Sequence, residues 1–188
     1  SPFWCFCTNL APNLNFVSID SAQCFPIYTF CEDGKERQDN IPHAALERFR
    51  KHYRNNHIKR ADIFHYVYAL LHHPDYRSRY ADNLKRELPR VPLLRGAAGF
   101  RALANAGRKL VDLHVNYERQ KEYPLQRVEN RALPLDWRVE AMKLNKERDA
   151  IQYNDYLALA GIPPSVFDYR LGNRSALEWV IDQYRVAR

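Results

Sequence analysis

The sequence predicts an α+β domain, mostly helical, with a helical bundle packed against a small antiparallel sheet or hairpin. Three observations predict it. Apolar residues recur at helical steps in several segments between residues 42 and 119, short strand-like runs lie near the N-terminus and around residues 137–154, and 46% of the 188 residues are hydrophobic against 27% charged. That composition supplies a full core for one sizeable domain.

Residues 1–34 contain three acids and no Lys or Arg. Phe16, Val17 and Ile19, then Phe25, Ile27, Tyr28 and Phe30, form two strand-like runs. We expect residues 1–34 to be the end of a preceding module and residues 35–188 to be the domain proper. The start at Ser1-Pro2-Phe3-Trp4, without an initiator methionine, predicts a piece of a longer chain. Residues 31–40 read as a solvated loop with a turn at Gly34.

Pro42 opens a helix with Ala45, Leu46, Phe49 and Tyr53 on its apolar side. The next begins near residue 61, where Asp62 opposes the helix dipole, and buries Ile63, Phe64, Val67, Leu70 and Leu71. Pro74 breaks the chain near His73 and starts another helix, expected to run to Pro89, with an aromatic seam of Tyr76 and Tyr80 ending at Leu84. The longest helix is expected over residues 100–119, with Leu103, Leu110, Leu113, His114 and Tyr117 near one face. His114 reads as a packed, hydrogen-bonded residue.

Residues 120–135 show no period and read as a loop. Imperfect alternation over Trp137–Leu144, a charged turn at residues 145–149 and a return through Ile151–Asn154 predict a hairpin. Pro163-Pro164 starts a short helix expected to reach Leu171. Ser175 and Glu178 form a capping box for the last helix, with Ala176, Trp179, Val180 and Tyr184 inward.

The net charge is +7, and from Arg77 to Lys109 there are nine bases and two acids. Such a surface suits a polyanion, though Lys and Arg also serve simply to solvate helix faces. Cys5, Cys7, Cys24 and Cys31 lack the spacing of familiar zinc pairs and read as reduced thiols. With no export signal and no run of eighteen apolar residues, the expected location is the cytoplasm.

Several blocks resemble the C-terminal specificity domain of Type ISP restriction-modification enzymes. They are Asp62-Ile63-Phe64-His65-Tyr66-Val67-Tyr68-Ala69-Leu70-Leu71-His72, Pro74-Asp75-Tyr76-Arg77, the stretch from Gly107 through Asn116-Tyr117-Glu118, Tyr153-Asn154-Asp155, Leu159-Ala160-Gly161-Ile162-Pro163, and Gly172-Asn173-Arg174-Ser175 with the residues to Trp179. They cover roughly residues 25–186, in order. The resemblance implies target recognition on duplex DNA, in a polypeptide that also carries nuclease, helicase-like translocase and adenine-N6 methyltransferase modules. S-adenosylmethionine and ATP with Mg would belong to those modules, and no cofactor is expected in this chain.

On this reading Lys59, Arg60, Arg86, Arg90, Arg101 and Arg108 are candidates for phosphate contact, supplying salt-dependent affinity. Lys146, Arg148, Gln152 and Asn154 on the hairpin carry ends that suit base edges, unless they are ordinary solvated charges. Arg170 and Arg174 either hold a phosphate or salt-bridge Asp168 and Glu178. The chain shows no glycine-rich cofactor loop, no Asn-Pro-Pro-Tyr run, no P-loop and no His-Glu-x-x-His pair, so it is expected to be non-catalytic. The alternative is a docking domain whose tyrosine seam faces a neighbouring module rather than DNA.

Overall fold

A computed structural model describes residues 3–12, 23–139 and 142–184. The expected strand at Phe16–Ile19 lies outside the described residues. The chain divides into two compact units, Cys5–Gln120 and Lys121–Arg188 with Ser1–Trp4.

The first unit opens with a two-stranded sheet, β1 (Tyr28–Phe30) and β2 (Arg37–Asp39), antiparallel with Thr29 opposite Gln38. The turn passes through Gly34 at φ 70°, a left-handed conformation that favours glycine. The strand at 37–39 replaces part of the expected loop. All three of its residues are exposed, so no apolar alternation marks it, and backbone pairing with β1 alone makes it a strand.

Helix α1 (His43–Tyr53) buries Leu46, Phe49 and Tyr53. Helix α2 (Arg60–His72) starts where Asp62 Oδ2 accepts the Lys59 N–H at 2.9 Å, and ends at His73, held extended ahead of Pro74. Its buried residues are Ile63, Tyr66, Tyr68, Ala69 and Leu70, whereas Phe64, Val67 and Leu71 are only partly buried. The inward face is thus rotated toward the tyrosines. Tyr66 is fully buried because its hydroxyl finds a partner, donating to the Pro92 carbonyl at 2.6 Å.

The helix expected to run from Pro74 to Pro89 is two short pieces, α3 (Pro74–Arg79) and α4 (Ala81–Leu84), with Tyr80 between them at φ −109°, ψ 19°. Tyr76 and Leu84 are buried and Tyr80 is exposed. The Tyr76 hydroxyl donates to the Arg90 carbonyl at 2.7 Å, so two tyrosines fasten the proline-rich segment that follows.

Helix α5 (Ala97–Val115) is the longest and packs mainly on α2. Its buried residues are Phe100, Ala104 and Gly107, of which the last two are small and let the backbones approach, while Leu113 and Tyr117, expected inward, are 49% and 68% exposed. Phe100 stacks on Tyr53 with centroids 4.7 Å apart and packs at 5.2 Å from Tyr66 and 5.8 Å from Phe49. This aromatic cluster joins α1, α2 and α5. His114 packs as expected, its Nδ1 2.5 Å from the Tyr68 hydroxyl.

The second unit is built on a four-stranded antiparallel sheet in the order β3-β6-β5-β4. The strands are β3 (Gln126–Glu129), β4 (Lys143–Leu144), β5 (Ala150–Gln152) and β6 (Leu157–Ala160). The expected hairpin is present as β4–β5, with Leu144 opposite Ile151, and Asn145 Oδ1 closes its turn by accepting from the Asp149 and Ala150 N–H groups at 3.0 and 3.1 Å. It is the edge of a larger sheet, not a free ribbon. Of the strand expected over Trp137–Leu144, only its last two residues form one among the described residues, because Asp136–Arg138 are bonded to side chains instead of a partner strand. β3 arises in the segment read as a loop, since β6 supplies its backbone partners although all four residues are exposed.

Met142, Ile151, Ile162 and Ile181 form the core of this unit, joined by Leu144, Phe167 and Leu177. The helix expected from Pro164 to Leu171 is a 3-10 turn over Pro164–Asp168, followed by a hairpin of β7 (Arg170–Leu171) and β8 (Arg174–Ser175) around Gly172 at φ 69°. Helix α6 (Ala176–Gln183) has the expected capping box, with the Glu178 N–H donating to Ser175 Oγ at 3.2 Å and the Ser175 N–H to Glu178 Oε2 at 2.8 Å. Ile181 is its buried residue, whereas Val180 and Tyr184, expected inward, are exposed.

Candidate nucleic-acid interface

The charge is concentrated in the helical unit, which holds 18 of the 29 basic residues and 12 of the 22 acids. Its six candidate phosphate ligands fall into two groups. Arg60 is structural in its contacts, with Nε donating to the Ile41 carbonyl at 2.9 Å and its guanidinium 3.2 Å from Asp39. Arg108 pairs with Asp62 at 3.1 Å, and Arg90 with Glu87 at 3.1 Å, the latter pair largely solvated. Lys59, Arg86 and Arg101 are exposed and have no ion-pair partner among the described residues. Unneutralised cations retain their full attraction for phosphate, whereas a paired one must first exchange its carboxylate.

In the sheet unit the candidates divide again. Lys146 is exposed at the β4–β5 turn without an ion pair among the described residues. Arg148, at φ 61°, pairs with Glu178 at 2.8 Å and lies 4.1 Å above the Phe167 ring. The Gln152 amide donates to the Asn154 carbonyl. Asn154 is saturated by backbone: Nδ2 donates to the carbonyls of Asp136 and Arg138, and Oδ1 accepts from the N–H groups of Tyr156 and Leu157.

Arg170 donates to the Asn173 carbonyl, and Arg174 pairs with Asp182 at 3.1 Å while lying over the Trp179 ring. Arg148, Arg170 and Arg174 are brought together around Glu178, lining an open cleft of about 520 Å³. Glu178 is held down at about 2 by the Ser175 backbone N–H, the Arg148 guanidinium and the Ser175 hydroxyl, so it stays a carboxylate and balances part of this charge.

A family model described as the Type ISP C-terminal specificity domain matches residues 1–188. The chain belongs to this family. No curated protein matches the chain. Among solved structures, the DrdV–DNA complex seen by electron cryomicroscopy is 37% identical with a TM-score of 0.82, over 95% of this chain and 18% of that one. A nuclease-deletion mutant of the Type ISP enzyme LlaGI with a DNA substrate mimic is 33% identical, TM-score 0.75, over 97% of this chain and 15% of that one. The ATP-dependent Type ISP enzyme LlaBIII bound to DNA is 27% identical, TM-score 0.80, over 97% and 12%. The specificity domain thus spans less than a fifth of each of these polypeptides.

Two features of the specificity domain bear on its surfaces. The tyrosine seam is consumed internally, since Tyr76 is buried and its hydroxyl holds Arg90, leaving Tyr80 as the exposed member. Arg127, Arg131, Trp137 and Arg138 are further exposed residues, to which sequence reasoning assigned no role, with the Arg127 guanidinium 4.9 Å from the Trp137 indole centroid. Their signal was present as three arginines interleaved with an aromatic, but it fell in a stretch without period. No helix among the described residues is long and apolar enough to cross a membrane.

Proposed function

We propose that this specificity domain binds duplex DNA and reads a short sequence, directing the methyltransferase, translocase and nuclease modules of a longer restriction-modification polypeptide. The observation that carries the reading is the likeness, at up to 37% identity over nearly the whole chain, to segments of enzymes solved on DNA. The excess of bases in the helical unit supports it, with Lys59, Arg86 and Arg101 assigned to phosphates and Arg60, Arg90 and Arg108 to a second tier that must release a carboxylate. Lys146, Arg148, Gln152, Arg170 and Arg174 remain candidates for contacts from the sheet unit.

On this reading the chain is non-catalytic. S-adenosylmethionine and ATP with Mg serve the other modules, residues 1–34 adjoin the preceding one, and the enzyme works in the cytoplasm. The test is retention of random duplexes by the 188-residue chain at two salt concentrations, with sequencing of what is retained. One enriched motif, held less tightly as salt rises, is the expected result. Absence of binding at either salt overturns the reading and favours a protein-docking role.

A further inference from the structure

Residues 136–138 form a loop whose backbone is tied down from several directions. Asn154 Nδ2 donates to the carbonyls of Asp136 at 2.8 Å and Arg138 at 3.0 Å, and the Tyr153 hydroxyl donates to the Trp137 carbonyl at 3.0 Å. The Arg138 N–H donates to Asp136 Oδ1 at 2.8 Å, so the one acid in the loop is turned onto the backbone. Asn154 is itself anchored at the entry to β6, where its Oδ1 accepts from Tyr156 and Leu157 at 3.0 and 2.8 Å. None of these bonds uses the side chain of Trp137 or Arg138.

The loop therefore holds its backbone fixed while its side chains stay available. The indole is 53% exposed, with the Arg127 guanidinium 4.9 Å from its centroid. Arg138, next to Trp137 in the chain, is exposed and forms no ion pair among the described residues. A fixed aromatic with one guanidinium over its ring and another next to it in the chain is matched by a partner offering apolar surface and anionic charge together, as the sugars, base edges and phosphates of duplex DNA do. Fixing the loop beforehand removes ordering entropy from the binding step.

We infer that Trp137 is a DNA-contacting residue whose indole packs on apolar sugar or base-edge surface of the duplex while Arg138 meets a phosphate, and that Asn154 and Tyr153 are its positioning residues. The inference rests on the DNA-binding reading above and assigns that function a specific contact.

The test is equilibrium binding by the 188-residue chain to the duplexes it retains, across a salt series, with thermal midpoints for every variant. Trp137→Ala is expected to weaken binding about 5-fold or more, the loss that marks an energetically important interface residue, without changing the slope of log affinity against log salt. Trp137→Phe keeps most of the affinity. Arg138→Gln reduces the slope by about one. Asn154→Asp keeps the acceptor for Tyr156 and Leu157 but loses both donations to the loop, so it weakens binding, and adding Trp137→Ala to it produces little further loss. Affinity of Trp137→Ala within twofold of a binding wild type, or a loss accompanied by a lowered melting midpoint, overturns this inference and leaves the DNA-binding reading intact. A wild-type chain that does not bind overturns both.

Discussion

Gly107 on α5 faces the His65 carbonyl on α2 so closely that a Cβ built on it would lie 1.8 Å from that oxygen. The neighbouring Ala69 Cβ is 3.2 Å from the same point, so the helices meet through small residues and backbone. Gly107→Ala therefore separates the two helices. We expect a destabilisation of about 1–3 kcal/mol or more, read as a lowered denaturation midpoint, and an unchanged midpoint would refute this account of the crossing.

Tyr66 tests the aromatic centre of the same unit. Its hydroxyl is the donor to the Pro92 carbonyl, and burial raises its pKa, so it remains a neutral donor at physiological pH. Tyr66→Phe keeps the ring packing and strands the carbonyl. The expected loss is about 1–3 kcal/mol in chemical denaturation, with the slope against denaturant unchanged.

Glu178 makes the stability of the sheet unit sensitive to acid. Its carboxyl is held at about 2 by the Ser175 N–H, Arg148 and the Ser175 hydroxyl, below its value in the unfolded chain of about 4.3. The stabilisation is fully present above the unfolded value and is lost as pH falls from there toward 2. Comparing wild type with Glu178→Gln by denaturation at several pH values should show a gap at pH 6 that narrows below pH 4. A gap independent of pH would remove the carboxylate from this role.

The two tiers of cations in the helical unit should separate by measurement. Arg86→Gln and Arg101→Gln are expected to leave the denaturation midpoint unchanged, weaken DNA binding across sequences and reduce the salt slope by about one each. Arg60→Gln loses both the Ile41 and Asp39 contacts and is expected to lower stability. The same stability loss in all three variants would show that the exposed pair is also structural.

Local chemistry made much of this chain legible from residues alone. The capping box at Ser175–Glu178, the break at His73-Pro74 and the burial of Leu46, Phe49 and Tyr53 on one helix face depend on neighbours within a turn or two, and all are present. The family was legible too, because its blocks are long and occur in order.

Tertiary structure alone decided three things. It made strands of Arg37–Asp39 and Gln126–Glu129, whose exposed side chains show no alternation because their order comes from backbone pairing, with β1 across a turn for the first and with β6 much further along the chain for the second. It turned Tyr66 and Tyr76 inward, since a buried hydroxyl is tolerable only where a carbonyl from another segment accepts its proton. It also engaged Asn154 with four backbone groups and left Trp137 exposed, a division that sequence spacing cannot show because it depends on which groups the folded chain brings within hydrogen-bond reach.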